Sequence, residues 1–176
     1  MTPCWANCVN KPSSEDTAGA WARRAAALIG HRLPPFTVQV EAGRLRFFAK
    51  ATGQQDPVYW DVAAARRAGH PDLPVPPTFL FCLELEAPDP AAFRNLVGLD
   101  YRNVLHGEQH FDYHAMAFAG DALTFEQRIE DMYEKKGGAL RFVERRTRVM
   151  NQHEVLIAEL NCVLVSRIQL RVEEIG

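Results

Sequence analysis

VPPTFLFCLEL (Val75–Leu85), followed by LHGEQHFDYHAMAFAGD (Leu105–Asp121), is the stretch whose reading decides the fold. Pro76-Pro77 forms a rigid step in front of an uninterrupted apolar run, Phe79–Leu83. Periodicity alone does not separate a buried helix from a buried strand in so short a run. Proline is well tolerated in the first turn of a helix, so Pro77 favours helix. A helix apolar around its whole circumference must be surrounded on most sides, and a curved sheet supplies such surroundings. The second segment carries alternating side chains and ends in the Gly120-Asp121 turn. Strand periodicity puts Phe111 and Tyr113 on one face with Leu105, Gly107 and Gln109. His106, Glu108, His110, Asp112 and His114 then take the other face.

The remaining C-terminal half reads as further antiparallel strands. Leu156, Ala158, Leu160, Cys162 and Leu164 all point one way, the clearest period-two signal in the chain. Strands are expected over 122–134 and 139–150, joined by Gly137-Gly138, a hairpin cue. Asn151–His153 is a weaker turn. Upstream, the alanines of residues 18–29 favour helix, with Gly30 at its stop. Pro34-Pro35 leads into a short strand, Phe36–Val40. Leu45, Phe48 and Ala49 share one face of a helix over 44–51, closed by Gly53. Asp61 is an N-cap for a helix over 62–68. One buried helix with antiparallel strands gives an α+β domain over residues 17–170, behind a polar arm at 1–16.

The chain has 176 residues, enough for one domain with a sizeable core. Its apolar fraction is 47% and its charged fraction 24%, as expected of a globular domain. A net charge of −2 gives no footprint for nucleic acid. No apolar run approaches the ~20 residues that span a bilayer. The first residues lack the basic start and apolar core of a secretion signal, so the cytoplasm is the expected compartment. The four cysteines do not form a disulfide framework: Cys82 and Cys162 sit in apolar runs, and the Cys4/Cys8 pair lacks a second pair to complete a metal site.

Several segments resemble the MaoC-like dehydratases, in the right order. VEAGRLRFFAKATGQQDPVYWDVAAARRAG (residues 40–69) resembles their N-terminal helix and active-site loop. PVPPTFLF resembles the start of their central helix, and LHGEQHFDYH with AGD their long strand and its turn. YEKKGGAL and AELNCVLVSR resemble the closing hairpin and last strand. The resemblance covers about residues 30–167 and is strongest to the half-domain that stands N-terminal in two-domain members. It implies a hot-dog fold, an antiparallel sheet wrapped around one long helix, with units paired side by side. It implies a coenzyme A or carrier-protein thioester as ligand and no further cofactor. Pro77, Thr78, Phe79, His106, Gly107, Glu108 and Gln109 become the implied substrate-binding residues.

Catalytic members carry a loop resembling Gly-Asp-x-Asn-Pro-Leu-His, whose Asp and His form an acid–base pair. Here that motif falls on Gly53, Gln54, Gln55, Asp56, Pro57, Val58 and Tyr59. A glutamine amide cannot accept a proton near neutral pH. Tyrosine, with an unperturbed pKa of about 10, exchanges one poorly. The usual dyad is therefore absent at Gln54 and Tyr59, leaving Asp56 as a substitute base or as a brace for the loop. The implied role is the substrate-holding half of an (R)-specific enoyl-thioester hydratase or 3-hydroxyacyl-thioester dehydratase. Its partner would be a dyad-bearing chain in a heterodimer, or a second copy in a homodimer. The alternatives are a hydratase active on its own through Asp56, a thioesterase using Glu84, and a non-catalytic acyl-CoA-binding subunit.

Other candidates have plainer readings. On a strand, residues four apart lie roughly 13 Å apart, too far for His106, His110 and His114 to share one metal ion. Glu84 and Glu86 read as helix-end residues emerging into solvent. Arg141, Arg145, Arg146 and Arg148, with Lys135 and Lys136, read as a solvated face of the 135–148 hairpin or as phosphate ligands for coenzyme A. Trp21 and Trp60 read as packing residues.

Overall fold

A computed structural model describes residues 18–168; the N-terminal arm and the Cys4/Cys8 pair lie outside the described residues. Five antiparallel strands form one sheet: β1 (Phe36–Gln39), β2 (Val104–Tyr113), β3 (Ala122–Lys135), β4 (Leu140–Met150) and β5 (Leu156–Arg167). Their order is β1-β3-β4-β5-β2, so β1 and β2 are the two edges. β3 and β4 pair from Thr124↔Met150 to Lys135↔Leu140. Their turn carries positive φ at Lys136, Gly137 and Gly138, which is why two glycines stand there. The β4–β5 turn is held by Asn151, whose Oδ1 accepts from the backbone N–H groups of His153 and Val155.

The inner face of the sheet carries the core. Leu123, Phe125, Val149, Ala158 and Leu160 pack against α4 (Phe79–Glu84) through Phe79, Leu80 and Leu83. A second cluster joins Ile129, Met132 and Val143 to Trp21 and Ala25 of α1 (Ala18–Leu28) and to Phe93 and Val97 of α5 (Ala92–Val97). Between α1 and α4 stand α2 (Ala42–Ala51) and α3 (Val62–Arg67). Leu45 and Ala49 bury the expected face of α2, and Phe48 meets Phe79 edge-on at 5.0 Å. Asp61 caps α3, accepting from the Ala63 N–H at 2.8 Å. Among the described residues no helix is long and apolar enough to cross a membrane.

Five expectations change. The central helix α4 is short, six residues, because Pro88 and Pro90 stand just beyond it and helical geometry resumes only in α5. Glu84 does not emerge into solvent: it is 3% exposed and aimed at the sheet. The arginines of β4 do not form one solvated face. Arg141 is buried over the Trp21 ring and Arg145 lies over Phe93, while Arg146 and Arg148 point outward. Trp21 is core, but Trp60 is 46% exposed.

The fifth concerns β2. A bulge between His106 and Glu108 shifts its register against β5: His106 lies opposite Leu164, Glu108 opposite Val163 and Gln109 opposite Cys162. The extra residue reverses the alternation. His106 therefore faces inward with Gln109, Phe111 and Tyr113, and Leu105 is turned outward. Gly107 sits at the bulge because a Cβ there would lie 2.8 Å from Val165 Cγ2 and 3.2 Å from the Val163 carbonyl oxygen.

Two stability predictions follow from this packing. Leu160 is fully buried, so Leu160→Asp places an unpaired charge in the core and should cost about 3–5 kcal/mol. An unchanged urea midpoint would contradict the packing. Gly107→Ala should cost about 1–3 kcal/mol by overpacking the bulge, read as a lower melting temperature with an unchanged far-ultraviolet spectrum.

Candidate functional site

The loop that follows α2 is built by its own side chains. Gly53 takes φ +70°, a conformation that L side chains rarely adopt. Gln54 Oε1 then accepts from the Asp56 N–H at 3.0 Å. Asp56 Oδ1 accepts from the Val58 N–H at 3.1 Å and caps a 3-10 turn over Pro57–Tyr59, with Pro57 in its first position. Gln54 faces a surface groove with Arg46, Lys50, Gln55 and Trp60. Tyr59 lines a different concavity, a cleft at the N-terminal end of α4.

That cleft has a volume of about 340 Å³. Val75, Pro77, Leu80, Ala117 and Ile157 give it apolar walls, and Met116 lies at its rim. Three titratable residues line it: Tyr59, Tyr113 and His114. The Tyr113 hydroxyl accepts from the Thr78 N–H at 2.8 Å. Burial raises the Tyr113 pKa, and the Thr78 hydrogen bond opposes this less strongly. Thr78 itself sits at φ +68°, an uncommon backbone for a β-branched residue. Strain of this kind persists only where surroundings over-determine it. Here they are the preceding double proline and the Tyr113 hydroxyl. His114 Nε2 lies 3.6 Å from Glu159 Oε2, and Arg146 Nη2 donates to the same oxygen at 2.8 Å. Hydrogen bonding to Arg146 holds the Glu159 carboxyl below its usual range.

The expected site residues divide. Tyr59 and Pro77 meet in the cleft, and Thr78 borders it through its backbone. Phe79 is core. His106 lies farther along the inner face, edge-on to Phe81 at 5.1 Å and 3.7 Å from Cys162 Sγ. Burial pushes that thiol up to about 11, so it is no nucleophile. Gln109 stands opposite Cys162, its Oε1 buried without a hydrogen-bond partner. Glu108 is on the outer face, away from His106, and Gly107 forms the bulge between them. His110 pairs with Asp112, so the three histidines occupy three separate environments. Tyr113 and His114 were not singled out for the cleft from sequence. Their signal was position, at the end of the long strand just before the Gly120-Asp121 turn.

A second concavity of about 360 Å³ opens at the C-terminal end of α4, with Glu84, Gln127 and Arg145 at its floor. Glu84 Oε1 accepts from Gln127 Nε2 at 3.1 Å and from the Thr147 hydroxyl. Its Oε2 lies 2.9 Å from Arg145 Nη2. That approach is an ion pair without an in-line hydrogen bond, since Oε2 has no hydrogen-bond partner by geometry.

A family model described as the FAS1-like dehydratase domain region matches residues 27–160. A UPF0336 protein of Streptomyces griseus is 36% identical over 143 residues, 80% of this chain and 93% of that one. One from Streptomyces coelicolor is 42% identical over 106 residues, 59% of this chain and 70% of that one. Solved structures share the fold at lower identity. The truncated HadBC (3R-hydroxyacyl-ACP dehydratase) complex of Mycobacterium tuberculosis aligns with a TM-score of 0.69 and 24% identity, over 79% of this chain and 97% of that one. The ChsH1–ChsH2 complex of the same organism aligns at 0.66 and 21%, over 85% and 94%. A MaoC-like dehydratase aligns at 0.71 and 22%, over 80% of this chain but 42% of its own length. With the five-stranded sheet, the buried helix and the family match across most of its length, the chain belongs to the FAS1-like dehydratase-domain family and has the hot-dog fold of those neighbours.

Proposed function

We propose that this chain is the substrate-holding subunit of an (R)-specific enoyl-thioester hydratase or 3-hydroxyacyl-thioester dehydratase, with the acid–base pair supplied by a partner chain. The observation that carries the reading is the loop at Gly53–Tyr59. Hydration adds hydroxide to C3 of the enoyl group and a proton to C2, so one group must take a proton from water and another must deliver one. At the two positions where the family resemblance puts those groups stand Gln54 and Tyr59. Asp56, the loop's carboxylate, is engaged in capping the turn. What remains at the head of α4 is a cleft suited to holding an apolar acyl group against Val75, Leu80 and Ile157.

Partnering has its own support. β2 is an edge strand with one side unpaired, and exposed edges invite another strand. Two neighbouring structures are complexes of two named chains, HadBC and ChsH1–ChsH2. A second reading, a chain active by itself, is favoured by His114, a titratable residue at the cleft whose Nε2 lies 3.6 Å from Glu159 Oε2. Coenzyme A or a carrier protein serves equally well as the thioester's carrier.

One assay separates the two readings. Loss of the conjugated-thioester absorbance of crotonyl-CoA or a longer enoyl-CoA should be slow with the lone chain. It should rise by at least about 10²-fold when a dyad-bearing MaoC-like partner is added, since each acid–base group typically contributes 10²–10⁴. Asp56→Asn and His114→Gln should leave the complex nearly unchanged. Rapid turnover by the lone chain that disappears in His114→Gln would replace the subunit reading with the second one. Light scattering at micromolar concentration should give a dimer, either of this chain or with the partner.

A further inference from the structure

The surface groove at the Gly53–Trp60 loop has a volume of about 390 Å³ and is lined by Arg46, Lys50, Gln54, Gln55 and Trp60. Four of these residues are exposed and Gln54 is half-buried, so all are open to a ligand from solvent. Arg46 and Lys50 stand one turn apart on α2. Like charges at that spacing repel and weaken a helix. Other surface arginines are compensated: Arg44 by Glu86, Arg66 by Asp72, Arg128 by Glu130 and Arg146 by Glu159. Among the described residues no carboxylate pairs with Arg46 or Lys50. The carboxylates of the adjoining turns, Asp56 and Asp61, are engaged with the N–H groups of Val58 and Ala63. Arg46 Nε donates to the Trp60 carbonyl oxygen at 3.1 Å, which ties the guanidinium to the turn and leaves its two Nη groups as donors. Gln54 uses its Oε1 within the loop, so its amide N–H groups also remain. Trp60 is 46% exposed, a ring that the core does not cover.

Each part of this set calls for a different part of one ligand. The cations call for phosphate, whose oxygens match a guanidinium fork. The open indole calls for a flat base, which stacks on an aromatic ring. We infer that the groove binds the nucleotide end of coenzyme A, with its phosphates at Arg46 and Lys50 and its base on Trp60. A carrier protein attaches its pantetheine through a phosphate but brings no base, and leaves Trp60 without a role. The outward arginines of β4 suit the phosphates less well, because Arg146 and Arg148 already meet Glu159 and Glu126. Tyr59 of the cleft and Trp60 of the groove are consecutive residues, so the pantetheine arm passes from one to the other across a single turn. That link rests on the dehydratase reading; the nucleotide binding of the groove does not.

The purified chain is titrated by calorimetry with adenosine 3′,5′-bisphosphate, with adenosine and with inorganic phosphate. The bisphosphate should bind about tenfold tighter than either, because phosphate contacts and base stacking then act together. Arg46→Gln/Lys50→Gln should weaken it about tenfold or more. Trp60→Ala should weaken it about tenfold without changing phosphate binding, and Trp60→Phe should keep most of the affinity. Arg23→Gln removes an exposed cation of α1 and should change nothing. No bisphosphate binding, or an equal loss in Arg23→Gln, would overturn the inference. With a dyad-bearing partner added, crotonyl-CoA is compared with crotonyl-pantetheine, which lacks the nucleotide. The natural chain should give the coenzyme A ester a KM about tenfold lower, and the double variant equal KM values, with kcat unchanged throughout. Equal KM values with the natural chain would overturn the assignment to coenzyme A. So would a carrier-protein thioester whose KM rises in the double variant while that of crotonyl-CoA stays put, which would give the cations to an acidic protein. No turnover of either ester would defeat the dehydratase reading alone, and the bisphosphate titration would still decide the groove.

Discussion

Helices of about six residues do not persist in water, because one short run of hydrogen bonds does not offset the cost of nucleation. α4 exists because Phe79, Leu80 and Leu83 are buried against Phe125, Val149 and Leu160. Each fully buried side chain of this size contributes about 1.5–3 kcal/mol. Both concavities depend on that contact. Its N-terminal end carries the strained Thr78, the Tyr113 hydrogen bond and the cleft. Its C-terminal end aims Glu84 at the sheet and opens the second groove. A shift of this short helix along the sheet would therefore change both at once.

The sheet that receives α4 is not a uniform apolar platform. Arg145 and Thr147 lie between Val143 and Val149 on the inner face of β4, and Gln127 lies between Phe125 and Ile129 on β3. The two apolar clusters are separated by these side chains, one gathered around α4 and the other around α1 and α5. Glu84 is tolerable inside because two hydrogen-bond donors, Gln127 and Thr147, and the Arg145 cation surround it. Removing any one would leave part of a buried carboxylate uncompensated, which costs more than the bond itself contributes.

The sheet was legible where alternation is regular. Ala158, Leu160, Cys162 and Leu164 face inward as their period-two pattern predicts, and Gly137-Gly138 marks its hairpin. The same logic applied to β4 would have separated Arg141 and Arg145 from Arg146 and Arg148. Counting them together as a basic hairpin concealed it. The bulge at Gly107 was harder to foresee, because one inserted residue leaves composition unchanged while reversing every side chain beyond it. That reversal is why His106 and Glu108 were expected together and lie on opposite faces. Glu84 was misread for a related reason: helix-end position predicts exposure only when nothing packs over the last turn, and here β4 does. The cleft was half legible. Tyr59 and Pro77 followed from the loop and the proline step, whereas Tyr113 and His114 depend on where the long strand ends.

The loop at Gly53–Tyr59 has a consequence for how chemistry could be arranged. A base needs a lone pair free to receive a proton, and a loop needs its backbone N–H groups satisfied. Gln54 Oε1 and Asp56 Oδ1 both serve the second need. The turn they build is what presents Tyr59 to the cleft. Rebuilding a base at position 54 would therefore require another acceptor for the Asp56 N–H, a change to the loop as well as to one side chain. On the reading proposed here, shape and reactivity fall to different chains: this one supplies a closed loop and an apolar cleft, and a partner along the open edge of β2 supplies the proton transfers. Such a division lets the holding surface change with the acyl group while the acid–base geometry stays fixed in the other subunit.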